Sequence, residues 1–152
     1  MKTLHVILFT FVLCIMASCG LMKDTSNPNA VADIDNFKGS VQMMHPRTYN
    51  PQNVSFGYSL ELRHDTAKVY LPYIGEVYNP SFNNDGLNFD AICQDKKVTK
   101  TKKGDGKEVH FIVHHDNIAY KFKLTAFNGG MFTLDVQPDN AQGCNYTGRW
   151  DE

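Results

Sequence analysis

The pattern of apolar and polar positions divides the chain in two. Residues 4–16 form one nearly unbroken apolar run, interrupted only by His5 and Thr10. From about residue 37 the pattern changes to short stretches in which apolar and polar residues alternate, the period of a strand with one buried face. Over 56–63, Tyr58, Leu60 and Leu62 fall on one face and Ser59, Glu61 and Arg63 on the other. The same reading predicts strands over 39–45, ended by Pro46, and over 66–71 after a tight His64-Asp65 turn. It predicts another over 87–94, with Leu87, Phe89, Ala91 and Cys93 on one face. A hairpin pairs 96–102 with 107–114 across Lys103-Gly104-Asp105-Gly106, a turn signal. Asp116-Asn117 leads into 118–127 and Asn128-Gly129-Gly130 into 131–137, and 144–150 closes the chain. No long helical period follows residue 30.

Eight or nine short strands at regular spacing predict an all-β fold, an antiparallel meander closing into a barrel or sandwich. Closure removes exposed sheet edges and requires the last strand to pair with an early one. Trp150 would help to seal that closure.

The apolar run at the start is about a dozen residues long, too short for the roughly 20 that cross a bilayer. It follows a basic residue, Lys2, and ends in the small pair Ala17-Ser18 before Cys19. That order is a secretory signal. The cysteine placed directly after the small pair resembles the lipobox of bacterial lipoproteins. The resemblance implies that residues 1–18 are removed and that the Cys19 thiol carries diacylglycerol. Two or three acyl chains then hold the protein stably in a membrane. Residues 19–36 read as the lipidated N-terminus and a flexible tether, with a turn of helix near its end, and 37–152 as the barrel. The location expected is the bacterial cell envelope, anchored in the outer membrane on its periplasmic face or at the cell surface.

Composition then narrows the function. Fifteen basic residues against 16 acids give a net charge of −1, and losing Lys2 with the leader leaves about −2. A nucleic-acid partner would call for a basic excess. Of four cysteines, Cys14 leaves with the leader and Cys19 takes lipid, so Cys93 and Cys144 remain as a candidate disulfide in an oxidising compartment. A bridge there would add about 4 kcal/mol in the chain-entropy model. The alternative is two buried free thiols.

One stretch breaks the strand rhythm. From Tyr70 to Asp90 it carries Pro72, Gly75 and Gly86 with Tyr73, Tyr78 and Phe82. Pro72 argues against a central ladder there. The prediction is a long aromatic loop that either lids a ligand pocket or plugs the barrel as core. The run Leu71-Pro72-Tyr73-Ile74-Gly75, the Asp85-Gly86 step, Asn88-Phe89-Asp90, the Asn128-Gly129 turn and Tyr146-Thr147-Gly148 together resemble the bacterial domain of unknown function 4251 family over about residues 37–150. That resemblance implies a lipocalin-like antiparallel barrel. It carries no catalytic residues across.

The remaining chemistry is sparse. Ser81, Asn83, Asp85 and Gly86 hint at a calcium loop, but a calcium loop wants Asp first and Glu twelfth, where Ser81 and Ile92 stand. His110 and His114 share a strand face about 13 Å apart, too far to hold one ion. His114 and His115 point to opposite faces, and Asp116 is a turn residue. No zinc spacing, serine elbow or phosphate loop occurs. The expectation is therefore no metal, no cofactor and no enzyme. It is a non-catalytic module that meets the membrane through Cys19 and binds a small apolar ligand or an envelope partner, with Tyr73, Tyr78 and Phe82 as candidate contacts. The alternative is a structural envelope lipoprotein with a filled core, and a hydrolase stands last.

Overall fold

The structure, a computed structural model, describes residues 33–78 and 86–150. Among the described residues, ten strands follow a single 3-10 turn, Ile34–Asn36. They are β1 (Lys38–Pro46), β2 (Gln52–Asn53), β3 (Ser59–Arg63), β4 (Thr66–Leu71), β5 (Leu87–Ile92), β6 (Gln94–Lys100), β7 (Gly106–His115), β8 (Ile118–Phe127), β9 (Met131–Pro138) and β10 (Cys144–Trp150). All pairs are antiparallel, in the order β5-β4-β3-β1-β10-β9-β8-β7-β6, with β2 attached to β1. The expected closure of the last strand on an early one is present: β10 pairs with β1 from Gly39↔Trp150 to Pro46↔Cys144.

The two ends of this order, β5 and β6, are consecutive in the chain. The strand read from sequence over 87–94 is therefore the first half of a longer, bent strand. Its first half pairs with β4 and its second with β7. At the bend, Cys93 donates its N–H to the Asp65 carbonyl, and Phe89 stacks on His115 of β7 at 4.5 Å. Counted as one stave, β5 and β6 make the path an eight-stave, nearly closed barrel. Barrels of this size are just wide enough for side chains to fill.

The alternation predicted from sequence is the alternation observed. In β4 the pattern of exposed and buried residues is strict, and in β9 Phe132, Leu134 and Val136 point inward. Tyr146, Phe111, Phe122, Phe132, Leu60, Leu62, Leu124 and Val113 are each under 2% exposed. These side chains belong to one continuous cluster of buried residues. Phe111 and Phe122 stack at 4.9 Å, and Phe89 meets Tyr120 at 5.1 Å.

Glycines make room for the largest rings. Side chains at Gly39 and Gly148 would strike the Phe132 ring, and one at Gly148 would also strike the Ser40 carbonyl. Phe37 lies edge-on to Phe132 at 5.4 Å and tilted against Trp150 at 6.4 Å. With the buried Ile34, these rings cap one end of the barrel, called here the upper end. Ile34–Asn36, assigned to the tether from sequence, is thus packed onto the domain at Ile34.

Cys93 and Cys144 are both free and buried, so the bridge weighed from sequence is absent. The barrel explains why. Cys144 stands on β10, at the middle of the strand order, and Cys93 at the junction of its two ends. They occupy opposite walls with the core between them, whereas a disulfide needs Cα atoms within about 7 Å.

Candidate functional site

The lower end of the barrel is where the aromatic loop returns to the sheet. After Leu71 the chain leaves β4 and crosses this mouth. Tyr73 is 5% exposed, and its hydroxyl donates to the Gln142 carbonyl at 2.6 Å. Tyr146, wholly buried on β10, donates its hydroxyl to the Pro72 carbonyl at 2.7 Å. Backbone bonds from Tyr78 to Asn140 and from Gln142 to Glu76 complete the clasp, with a bridge between Val77 and Ala141. The 71–75 motif and the 146–148 motif, far apart in sequence, therefore meet across one mouth. Their shared work is to pin a loop over the barrel.

Burial sets the electrostatics of this clasp. It pushes the Tyr73 hydroxyl up to about 12 and the Cys144 thiol up to about 11, while Tyr146 is raised well above its ordinary value. Each group stays neutral and protonated at physiological pH, suited to hydrogen bonding and packing.

The three candidate contacts do not share one fate. Tyr73 belongs to the core, Tyr78 is 67% exposed, and Phe82 lies outside the described residues. So do Cys19, the leader, the tether to residue 32, and Ser81, Asn83 and Asp85 of the calcium-like run. Where the loop is described, Tyr73 packs into the core cluster while Glu76 and Tyr78 face solvent.

The outer wall carries an open groove of about 500 Å³ across β1, β10, β9 and β8. Thr125, Thr133 and Thr147 form its floor in register, beside Lys123, Asp135 and His45. The His45 ring nitrogen lies 3.2 Å from the Thr147 hydroxyl, and Gln137 donates to Asp135 at 3.0 Å. Sequence reading missed this groove. Its signal was the row of outward threonines, visible only once the strand registers are known.

The histidine cluster is dispersed. His110 pairs with Glu108 at 2.6 Å and His115 with Asp116 at 3.3 Å. Glu108 also accepts Lys123 at 3.1 Å. The His110 hydrogen bond, with Lys123 behind it, holds the Glu108 carboxyl below its ordinary range. A hydrolytic His would instead need a nucleophile in reach, and the partner held by His110 is an acid. Burial raises the Cys93 thiol to about 11, far from a reactive thiolate. Among the described residues, no group of three His, Cys, Asp or Glu side chains is placed to hold a metal ion.

A family model described as a domain of unknown function, DUF4251, matches residues 27–150. Among curated proteins none matches the chain. Among solved structures, it is similar to the crystal structure of a DUF4251 family protein from Bacteroides eggerthii. The TM-score is 0.61 at 17% identity, over 84% of this chain and 87% of that one. At that identity the likeness is one of fold.

Proposed function

This chain belongs to the DUF4251 family, and from that premise we propose a lipid-anchored, non-catalytic protein of the bacterial cell envelope that engages a partner through its exterior. The carrying observation is the nearly closed barrel. Its inward side chains form one buried cluster, Phe37, Phe132 and Trp150 cap the upper end, and Tyr73 of the pinned loop is buried at the lower end. A small-molecule site is ordinarily a concavity of about 300–1,000 Å³ that buries most of its ligand, whereas the groove of about 500 Å³ described above is open and lies on the outer wall. This favours an envelope partner over an apolar ligand held inside.

Two measurements test the reading. The full chain should label with fatty acid in a bacterial host, and Cys19→Ala should abolish the label. Labelling that survives the substitution ends the anchor assignment. Native mass spectrometry of the purified domain should give the bare chain mass. A stoichiometric apolar adduct would restore the ligand-carrier alternative.

A further inference from the structure

The barrel is charged unevenly, and the imbalance is concentrated in one hairpin. Residues 96–107 hold six lysines against one aspartate, +5 in a chain whose net charge is −1. The segment comprises β6, the 101–105 turn and the start of β7. Lys97, Lys100, Lys102 and Lys103 are exposed. Thr101 accepts a backbone bond from Gly104 and bonds its hydroxyl to Asp105 at 2.6 Å, which fixes the turn. Asp105 in turn accepts the Asn128 N–H, so the tip is braced against the β8–β9 turn at the upper end.

Lysines on a free strand edge commonly serve only to keep other strands from pairing. β6 has such an edge, since β7 is its ladder partner on one side. Edge protection accounts for Lys97 and Lys100. It does not account for Lys102 and Lys103, which lie beyond the last ladder pair, Lys100↔Lys107, where no edge remains.

The second observation is where the chain enters the domain. Asp35, in the 3-10 turn that opens the described chain, holds the Lys96 ammonium at 2.5 Å, and the same ammonium donates to the His64 carbonyl. The N-terminal segment therefore joins the barrel at the base of the lysine hairpin. Between Cys19 and Asp33 lie 13 residues, and a chain of that length can reach at most about 45–50 Å. A surface holding the N-terminus is then within reach of the hairpin tip.

We infer that the β6–β7 hairpin docks on anionic phospholipid headgroups of the membrane that holds the N-terminus, orienting the barrel upper end down. The inference rests on the anchor reading above for its location, but its chemistry can be tested without the anchor. Lysines near an anionic surface act as independent attractions that fade within about 10 Å at ordinary salt. Each lysine removed should lower the partition onto such a surface about fivefold.

The test uses the chain from Gly20 to Glu152. It lacks the lipid site but retains every residue of the core, which is drawn from Ile34 to Tyr146. It is sedimented with vesicles of equal phosphatidylglycerol and phosphatidylcholine, and with pure phosphatidylcholine. The expected result is binding to the first only, lost at about 0.5 M salt. The double variant Lys102→Gln/Lys103→Gln should bind about 25-fold more weakly. Lys68→Gln/Lys121→Gln, which removes equal charge from exposed positions elsewhere, should stay within about twofold. Equal losses in the two double variants, binding to neutral vesicles, or no binding by the parent chain would each overturn the proposal. So would tighter binding to a soluble polyanion such as DNA than to the charged vesicles. Fatty-acid labelling of the full chain is unaffected by any of these outcomes, so the docking and anchor readings fail separately.

Discussion

At the scale of single residues, the molecule turns on a few groups that have no freedom to move. Gly148 faces the Ser40 carbonyl and the Phe132 ring, both in the wall or the core. Gly148→Ala should therefore lower stability by about 1–3 kcal/mol, the usual cost of overpacking. Gly129→Ala has nothing within 4 Å of the added methyl and should change it by less than about 0.5 kcal/mol. Urea unfolding of both variants checks the contrast. Tyr146→Phe removes the hydroxyl that satisfies the Pro72 carbonyl. The expected loss is about 1–3 kcal/mol, because the partner is left bare in a buried place. The thiols supply a further test. Both are buried and pushed up to about 11, so neither should be alkylated in the native protein near pH 8. Both should react in denaturant without reductant. A chain that gains no mass there would be bridged after all. The even cysteine count suggested a pair, but a count carries no information on which wall each residue occupies.

At the scale of elements, legibility followed periodicity. The strands β4, β8 and β10 match the sequence reading residue for residue, because alternation and turn residues bracket them on both sides. The β5–β6 stave was half read. Leu87, Phe89 and Cys93 do face inward, yet alternation cannot say that a strand changes partner midway. The change falls where Asp95 adopts a φ of 52° in the register shift between Gln94 and Lys97. A left-handed conformation favours glycine, so Asp95→Gly should hold or raise the melting temperature while Asp95→Val lowers it by several degrees. The aromatic loop was hardest to read. It has no period, so Tyr73 in the core and Tyr78 in solvent could not be told apart in advance. The groove over Thr125, Thr133 and Thr147 was invisible for a different reason: its residues come from four strands and align only through their registers.

For the whole molecule, the buried hydroxyls and thiols set a direction for pH dependence. Cys93 and Cys144 rise from 9.0 to about 11, and Tyr73 and Tyr120 from 10.0 to about 12. For a group whose folded value is raised, the stabilisation is complete below the unfolded value and is lost as pH climbs toward the folded one. The urea midpoint should therefore be level up to about pH 8.5, then fall from 9 to 11 as the thiols titrate and further to 12 with the tyrosines. On the acid side, Asp35 and Glu108 are held low by Lys96 and His110. Their contribution is present above the ordinary carboxylate range and lost below it. These pairs are partly solvated, so that limb should be shallow. A midpoint that stays level to pH 12 would mean that the buried thiols and hydroxyls ionise without cost to the fold.

The pairing of β1 with β10 also sets an order in time. Gly39 is among the first residues of the barrel to emerge from a ribosome, and its partner Trp150 follows roughly 110 residues later. At about 5–20 residues per second, β1 waits on the order of ten seconds for the strand that completes it. During that wait it offers an open ladder to any extended chain nearby. Pairings between such distant segments form slowly even once both are present. The short β2 and β3 strands, which lie along the other side of β1, arrive first and cover that side early. The interval before β10 arrives is thus the stage at which this protein most needs a chaperone.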